Sequence, residues 1–211
     1  MPPSNYDMAK AQAAELFVRY DAGEIIAKYG LAHDENYLYL PMLNRMHRIS
    51  RSTGLVEWSE DGFQTAFEAD FNAAMTVYDV LCYAKKGARL SGSFVRVNSL
   101  PGSGTASRVG ENITDSTAQY FRHRPEALLR ARDVLGGVPA GKGDIAFQLE
   151  LFPFLPVLVK FWQAEEEFPP TLQFLWDANT LNFLHYETVW YAAGYIRTRL
   201  RELAEAHASL G

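Results

Sequence analysis

The chain has 211 residues, 48% of them hydrophobic and 13% aromatic, which is ample material for a core that folds without staples. A formal net charge of -5 and a pI near 5.6 exclude a broad electrostatic footprint for nucleic acid. The single cysteine, Cys82, excludes an internal disulfide and a thiolate-held cluster within one chain.

No apolar stretch at the N-terminus has the form of a signal peptide, and no segment supplies the roughly 20 apolar residues of a membrane span. The expectation is therefore a soluble, cytoplasmic protein with no membrane and no nucleic-acid partner. Asn112-Ile113-Thr114 matches the glycosylation pattern by chance, since a protein that is not exported never meets that machinery.

Asp7 is positioned to cap a helix through about Arg19, and Asp21-Ala22-Gly23-Glu24 opens a second short helix that stops at Gly30. From Tyr37 to Trp58, short apolar runs broken by Pro41, Asn44 and Gly54 predict a β-meander. Asp61 with Gln64 three residues on predicts the start of a long helix carrying Phe63, Phe67, Phe71, Ala74, Met75, Tyr78, Leu81 and Cys82, ending near Gly87. Ser93 to Val97 alternates as a strand and runs into the glycine-rich loop from Leu100 to Gly104. Helices are predicted from Asp115 to His123 and from Pro125 to Leu135, with Gly136 as the stop.

In the last third, Ile145, Phe147, Leu149 and Leu151 share one strand face, and Val157, Val159 and Phe161 share another after a turn from Phe152 to Pro156. Pairing Leu151 with Val157 aligns both apolar sets, sets Gln148 opposite Lys160 and places Glu150 on the diagonal. A third strand, Leu172 to Trp176, and an amphipathic helix from Glu187 to about Ala206 complete the pattern. The expected fold class is α+β with a largely antiparallel sheet, as one domain over 1–211 or two intimate lobes. The lobes would be a helix and meander lobe, 1–135, and a hairpin sheet with the C-terminal helix, 143–211, joined by the glycine-rich segment 136–144.

Gly136 to Lys142 reads G-x-x-x-x-G-K, but the next residue is Gly143, where a P-loop needs Ser or Thr, and the order is helix then strand instead of strand then helix. Nucleotide binding through this segment is discarded. Glu165, Glu166 and Glu167, closed by Phe168-Pro169-Pro170, crowd three carboxylates that attract protons, cations or a basic partner, or simply solvate a loop. Asp177, Asn179, Asn182, His185 and Glu187 follow in a connection where ligand groups commonly sit, although turn and capping roles suit the asparagines and aspartate equally. No second histidine stands at zinc-ligand spacing from His185. Glu165, Glu166, Glu167, Asp177, His185 and Glu187 are the candidate ligand or metal set, with Trp162, Phe168 and Tyr186 as candidate pocket lining.

His33, His47, His123 and His207 stand singly and are expected at the surface or in turns. Cys82 falls on the apolar side of its helix and is expected to be buried and inert. Arg197, Arg199 and Arg201 are expected to form a solvated helix face, or a carboxylate or subunit contact. There is no nucleophile elbow, zincin motif or dinucleotide fingerprint, so the residues name no cofactor.

The segments LSGSFVRVNSLPGSG, GDIAFQLELFPFLPVLVKFW, EEEFPPTLQFLWDA and FLHYETV resemble a bacterial and archaeal domain-of-unknown-function family common in anaerobes. The pattern positions are Gly92, Pro101, Gly102, Gly143, Asp144, Glu166, Glu167, Phe168, Pro169 and Asp177. The resemblance implies an α+β fold without an established activity, in a family whose relatives include members with a cysteine-rich iron–sulfur segment or an association with corrinoid or one-carbon metabolism. With one cysteine, a redox role here would need a partner protein.

Three readings follow. The first is a non-enzymatic binding or accessory domain that meets a small molecule or protein around Trp162 to Phe168 and Asp177 to Glu187. The second is a metal-assisted or acid–base enzyme using Glu166, Glu167, Asp177 and His185. The third is a self-associating structural protein whose exposed aromatics form a homodimer contact.

Overall fold

The computed structural model describes residues 4–100 and 113–208. These fall into two compact units, Met1–Ala88 with Asn182–Ala192, and Arg89–Leu181 with Ala193–Gly211. Each unit is built on a five-stranded antiparallel sheet, and the fold is α+β. Among the described residues no helix is long and apolar enough to cross a membrane. The expected Leu100 to Gly104 loop, with Pro101 and Gly102, lies outside the described residues beyond Leu100 itself.

The first unit opens with α1 (Asn5–Phe17), capped by Ser4, which forms a reciprocal capping box with Asp7. Asp7 is thus the third helical residue and not the cap, so the helix starts one turn earlier than expected. Asp21 caps α2 (Ala22–Tyr29), accepting from the Gly23 and Glu24 amides, and Gly30 ends it in the left-handed conformation at φ 63°. The sheet follows as β1 (Ala32–His33), β2 (Tyr37–Met42), β3 (Arg45–Ser50), β4 (Val56–Ser59) and β5 (Phe67–Glu68), paired in chain order. Leu43 and Asn44, both at positive φ, close the β2–β3 hairpin, as a two-residue loop matching strand twist requires.

Period-2 alternation places Leu38, Leu40, Met42 and Ile49 in the core. His47 belongs to the same set, opposite Leu40 and Trp58, and is fully buried with its Nδ1 3.0 Å from the Arg45 carbonyl. The surface expected for His47 is therefore corrected: strand parity, not polarity, decides where it points. His33 and His123 are exposed, and the side chain of His207 falls outside the described residues.

The long helix expected from Asp61 begins only at Asp70, whose Oδ1 accepts from the Ala73 amide to cap α3 (Phe71–Cys82). Asp61 instead closes a tight turn, accepting from the Thr65 amide at 2.9 Å, and Gly62 and Phe63 both take positive φ. Phe67 and Glu68 pair with Trp58 and Glu57 as β5, so the helical spacing through Phe63 and Phe67 is coincidental.

The second unit holds β6 (Phe94–Arg96), α4 (Ile113–Phe121), α5 (Pro125–Val134), β7 (Val138–Pro139), β8 (Ile145–Phe152), β9 (Leu155–Trp162) and β10 (Thr171–Asp177). Its sheet order is β6-β10-β9-β8-β7. The last helix, α6 (Tyr186–Ala208), begins among the residues of the first unit and continues among those of the second. Pro125 occupies the first turn of α5, and Gly136 follows the helix at φ 70°.

The β8–β9 register departs from expectation by two residues: Leu149 faces Val157, Ala146 faces Lys160 and Gln148 faces Leu158. The turn uses only Pro153 and Phe154, and a bulge lies between Glu150 and Phe152. A shift of two preserves face parity, so Phe147, Leu149, Leu151, Val157, Val159 and Phe161 remain on one buried face. Leu172, Phe174 and Trp176 extend that face through β10. α4 packs against β10 and α5 against β8.

Candidate functional site

β9 and β10 are joined by a turn that displays Glu165, Glu166 and Glu167 to solvent. Reciprocal backbone hydrogen bonds close it, Glu165 N–H to the Phe168 carbonyl at 3.0 Å and Phe168 N–H to the Glu165 carbonyl at 3.2 Å. Beneath it, the Asp144 carboxylate accepts from the Gln163 amide at 2.7 Å and fixes the end of β9 to the start of β8. Two large aromatics flank the carboxylates: Trp162 is 41% exposed and Phe168 66%. Exposed carboxylates between exposed rings form a surface suited to guanidinium or ammonium groups, through charge and through the ring faces.

Asp177, at the end of β10, has a different environment. It is 1% exposed. Its Oδ1 accepts from the Ser91 amide at 2.9 Å and the Asn179 amide at 2.8 Å, and its Oδ2 accepts from the Gly92 amide at 2.8 Å. Three of the roughly four acceptor sites of a carboxylate are engaged, two holding the segment before β6 against β10 and one closing the turn after β10.

In the first unit, His185 precedes α6 and is oriented by a residue that sequence reading missed. Asp79 of α3 accepts from the His185 backbone amide at 2.7 Å through Oδ2, while its Oδ1 lies 2.6 Å from His185 Nδ1. The imidazole lies against the Tyr83 ring at a centroid distance of 3.5 Å, and its side chain is 58% exposed. A carboxylate on Nδ1 fixes the tautomer with the proton there and leaves Nε2 as the accepting nitrogen. Such a pair can accept a proton from a molecule bound against Nε2. Asp79 and Tyr83 are one helical turn apart, a spacing that marks a shared face but says nothing of a partner 106 residues away.

Glu187 stands in the first turn of α6 and accepts from the Tyr191 hydroxyl at 2.6 Å. Tyr186 packs edge-on against Trp190. Of the candidate set, Glu165, Glu166, Glu167, Asp177, Trp162 and Phe168 belong to the second unit, and His185, Tyr186 and Glu187 to the first. Among the described residues no group of three or more His, Cys, Asp or Glu side chains could hold a metal ion.

Cys82, half-buried at the end of α3, has its thiol pushed up to about 12, by burial first and by the Asp79 charge second, with Lys28 opposing. The thiolate is therefore suppressed, and alkylation of the native protein near pH 8 should be roughly a hundredfold slower than of the unfolded chain. Mass-spectrometric counting of iodoacetamide adducts with and without denaturant measures this, and equal rates would contradict it. Because the folded value is raised, the unfolded state ionises first, and this thiol costs stability as pH rises from its ordinary value near 9 towards 12.

The arginines of α6 are not one solvated face. Arg201 is exposed, but Arg197 and Arg199 are buried, and Arg197 lies over the Phe174 ring at 5.2 Å with its Nε lacking an acceptor among the described residues. Burial pushes the Arg197 guanidinium down to about 10.

No curated protein and no solved structure matches this chain. A family model, the domain of unknown function DUF3786, matches residues 21–199, a span that takes in both sheets and most of α6. The chain belongs to that family of domains of unknown function.

Proposed function

We propose that this is a cytoplasmic, non-enzymatic binding or accessory domain, and that the β9–β10 turn is its recognition element for a basic segment of a partner protein. The observation that carries the reading is the closed turn with Trp162 and Phe168, 41% and 66% exposed, bracketing three exposed glutamates. Large exposed aromatics are costly to leave in water and mark contact surfaces. The reciprocal backbone bonds preform the turn, which lowers the ordering cost of association. A net charge of -5 favours a cationic protein segment over nucleic acid.

The enzyme reading needs Asp177 as a ligand or acid–base group, and three backbone amides already occupy its carboxylate. This weighs towards binding.

Anisotropy titration with a short labelled peptide alternating arginine and leucine tests the reading. The expected result is saturable, salt-sensitive binding that weakens about tenfold or more in a Glu165→Gln, Glu166→Gln, Glu167→Gln variant and in a Trp162→Ala, Phe168→Ala variant. Unchanged binding by both variants would remove the turn from the function. Light scattering on the same proteins reads self-association, and a dimer abolished by the aromatic substitutions would assign the surface to a second copy of this chain.

A further inference from the structure

In the second unit, α4, α5 and the C-terminal part of α6 bound an open cleft of about 640 Å3. Its walls include Tyr120 of α4, His123 and Arg124 of the α4–α5 junction, Glu126 and Arg130 of α5, and Glu205 of α6. Tyr120 is a platform shared by two guanidiniums, that of Arg124 at 4.6 Å and that of Arg201 at 4.9 Å from the ring centroid. Arg201 also lies 3.7 Å from Glu205, so that acid is offset by a cation of its own helix.

Arg124 and Arg130 differ from Arg201. Among the described residues neither has a carboxylate partner, although both border the cleft. Arg124 is also the residue before α5, a helix whose start has no side-chain cap. Pro125 has no N–H, and the Ala127 and Leu128 amides both turn back to the Arg124 carbonyl, at 3.0 and 3.3 Å. The Glu126 amide has no acceptor among the described residues and faces the end of the helix where the dipole favours negative charge.

We propose that this cleft binds a small molecule in which a phosphate or carboxylate group is joined to hydroxyl or amino donors. Arg124, Arg130 and His123 receive the anionic group, for which the planar fork of a guanidinium is suited to two parallel hydrogen bonds. Glu126 and Glu205 accept from the donors and disfavour a bare polyanion, so the site selects a mixed ligand over nucleic acid or polyphosphate. Pro125, Ala127 and Ala204 supply the apolar part of the wall, and the Tyr120 ring holds the Arg124 guanidinium. This site is independent of the β9–β10 turn, and either can fail without the other.

Calorimetric titration of the full chain with glycerol phosphate, glycerate, inorganic phosphate and glycerol tests the proposal. Saturable binding of glycerol phosphate or glycerate, tighter than that of inorganic phosphate and absent for glycerol, is expected, and the better of the first two distinguishes phosphate from carboxylate. An Arg124→Ala, Arg130→Ala variant should bind at least about tenfold more weakly, whereas Arg51→Ala, in the other unit, should bind unchanged. Both substituted side chains are exposed, and Arg130→Gln alone replaces the pair if the double variant misfolds. No saturable heat from any probe up to about 10 mM, or equal binding by the cleft variants, would overturn the proposal.

Discussion

Replacing Asp177 by alanine is expected to lower the stability of the second unit by about 3 kcal/mol, among the larger effects of any single side chain. The carboxylate is 1% exposed, and its three backbone partners, Ser91, Gly92 and Asn179, lie at 2.8 to 2.9 Å. Each is a charge-assisted bond to a part-buried amide, and removal of the acceptor strands all three donors together. The same residue pairs with Phe94, and the Ala178 amide donates to the Ser93 carbonyl at 2.8 Å, so the loss falls where the edge strand β6 is docked. Asp177→Asn keeps one oxygen and should cost about half as much. Urea unfolding with an unchanged slope gives the magnitude, and faster hydrogen exchange at the β6 amides locates it. A loss under about 1 kcal/mol in the alanine variant would mean that Ser91 and Gly92 find water or other acceptors, and would return Asp177 to the candidates for ligand binding.

The same residue shows what the sequence could and could not convey. Asp177 is visible as an acid at a strand end, a place where functional groups are common, but two of its three partners are amides 85 and 86 residues earlier. Burial of the carboxylate follows from that pairing, and no local pattern announces it. Asp79 is the converse: it stands in a helix whose spacing is plain, and only its bond to His185, 106 residues on, makes it chemically distinctive.

Local periodicity worked where one face of a strand is uniformly apolar, as from Ile145 to Phe161, because parity survives even a two-residue slip of register. It failed at Asp61, where a capping pattern followed by phenylalanines imitated a helix start. Gly62 and Phe63 at positive φ and the pairing of Phe67 with Trp58 override it, and the backbone conformation is set by strand pairing instead of side-chain spacing. The acidic turn was legible as composition. Its flanking aromatics became informative only with their exposure, since most aromatics of that third of the chain are core.

Gly54 is the position in the first unit where a single methyl group should do most damage. It takes φ 72°, and a Cβ there would lie 2.4 Å from the Ala14 carbonyl oxygen and 2.9 Å from the Ala14 Cα and carbonyl carbon. These are backbone atoms of α1, which cannot swing aside as a flexible side chain can. The Gly54 carbonyl also accepts from the Tyr78 hydroxyl of α3 at 2.8 Å, so moving the turn to relieve the contact breaks a buried hydrogen bond. Gly54→Ala should therefore cost about 3 to 4 kcal/mol, roughly 1 kcal/mol from the left-handed backbone and the rest from the lost approach of α1 and α3. Gly62→Ala is the internal control: φ is 70° and nothing lies within 4 Å of the added carbon, so only the backbone share, about 1 kcal/mol, should appear. Chemical denaturation of the two variants separates conformation from contact. Equal losses would show that α1 is not seated against the β3–β4 turn in solution, whereas a loss at Gly54 exceeding that at Gly62 by about 2 kcal/mol fixes the helix there.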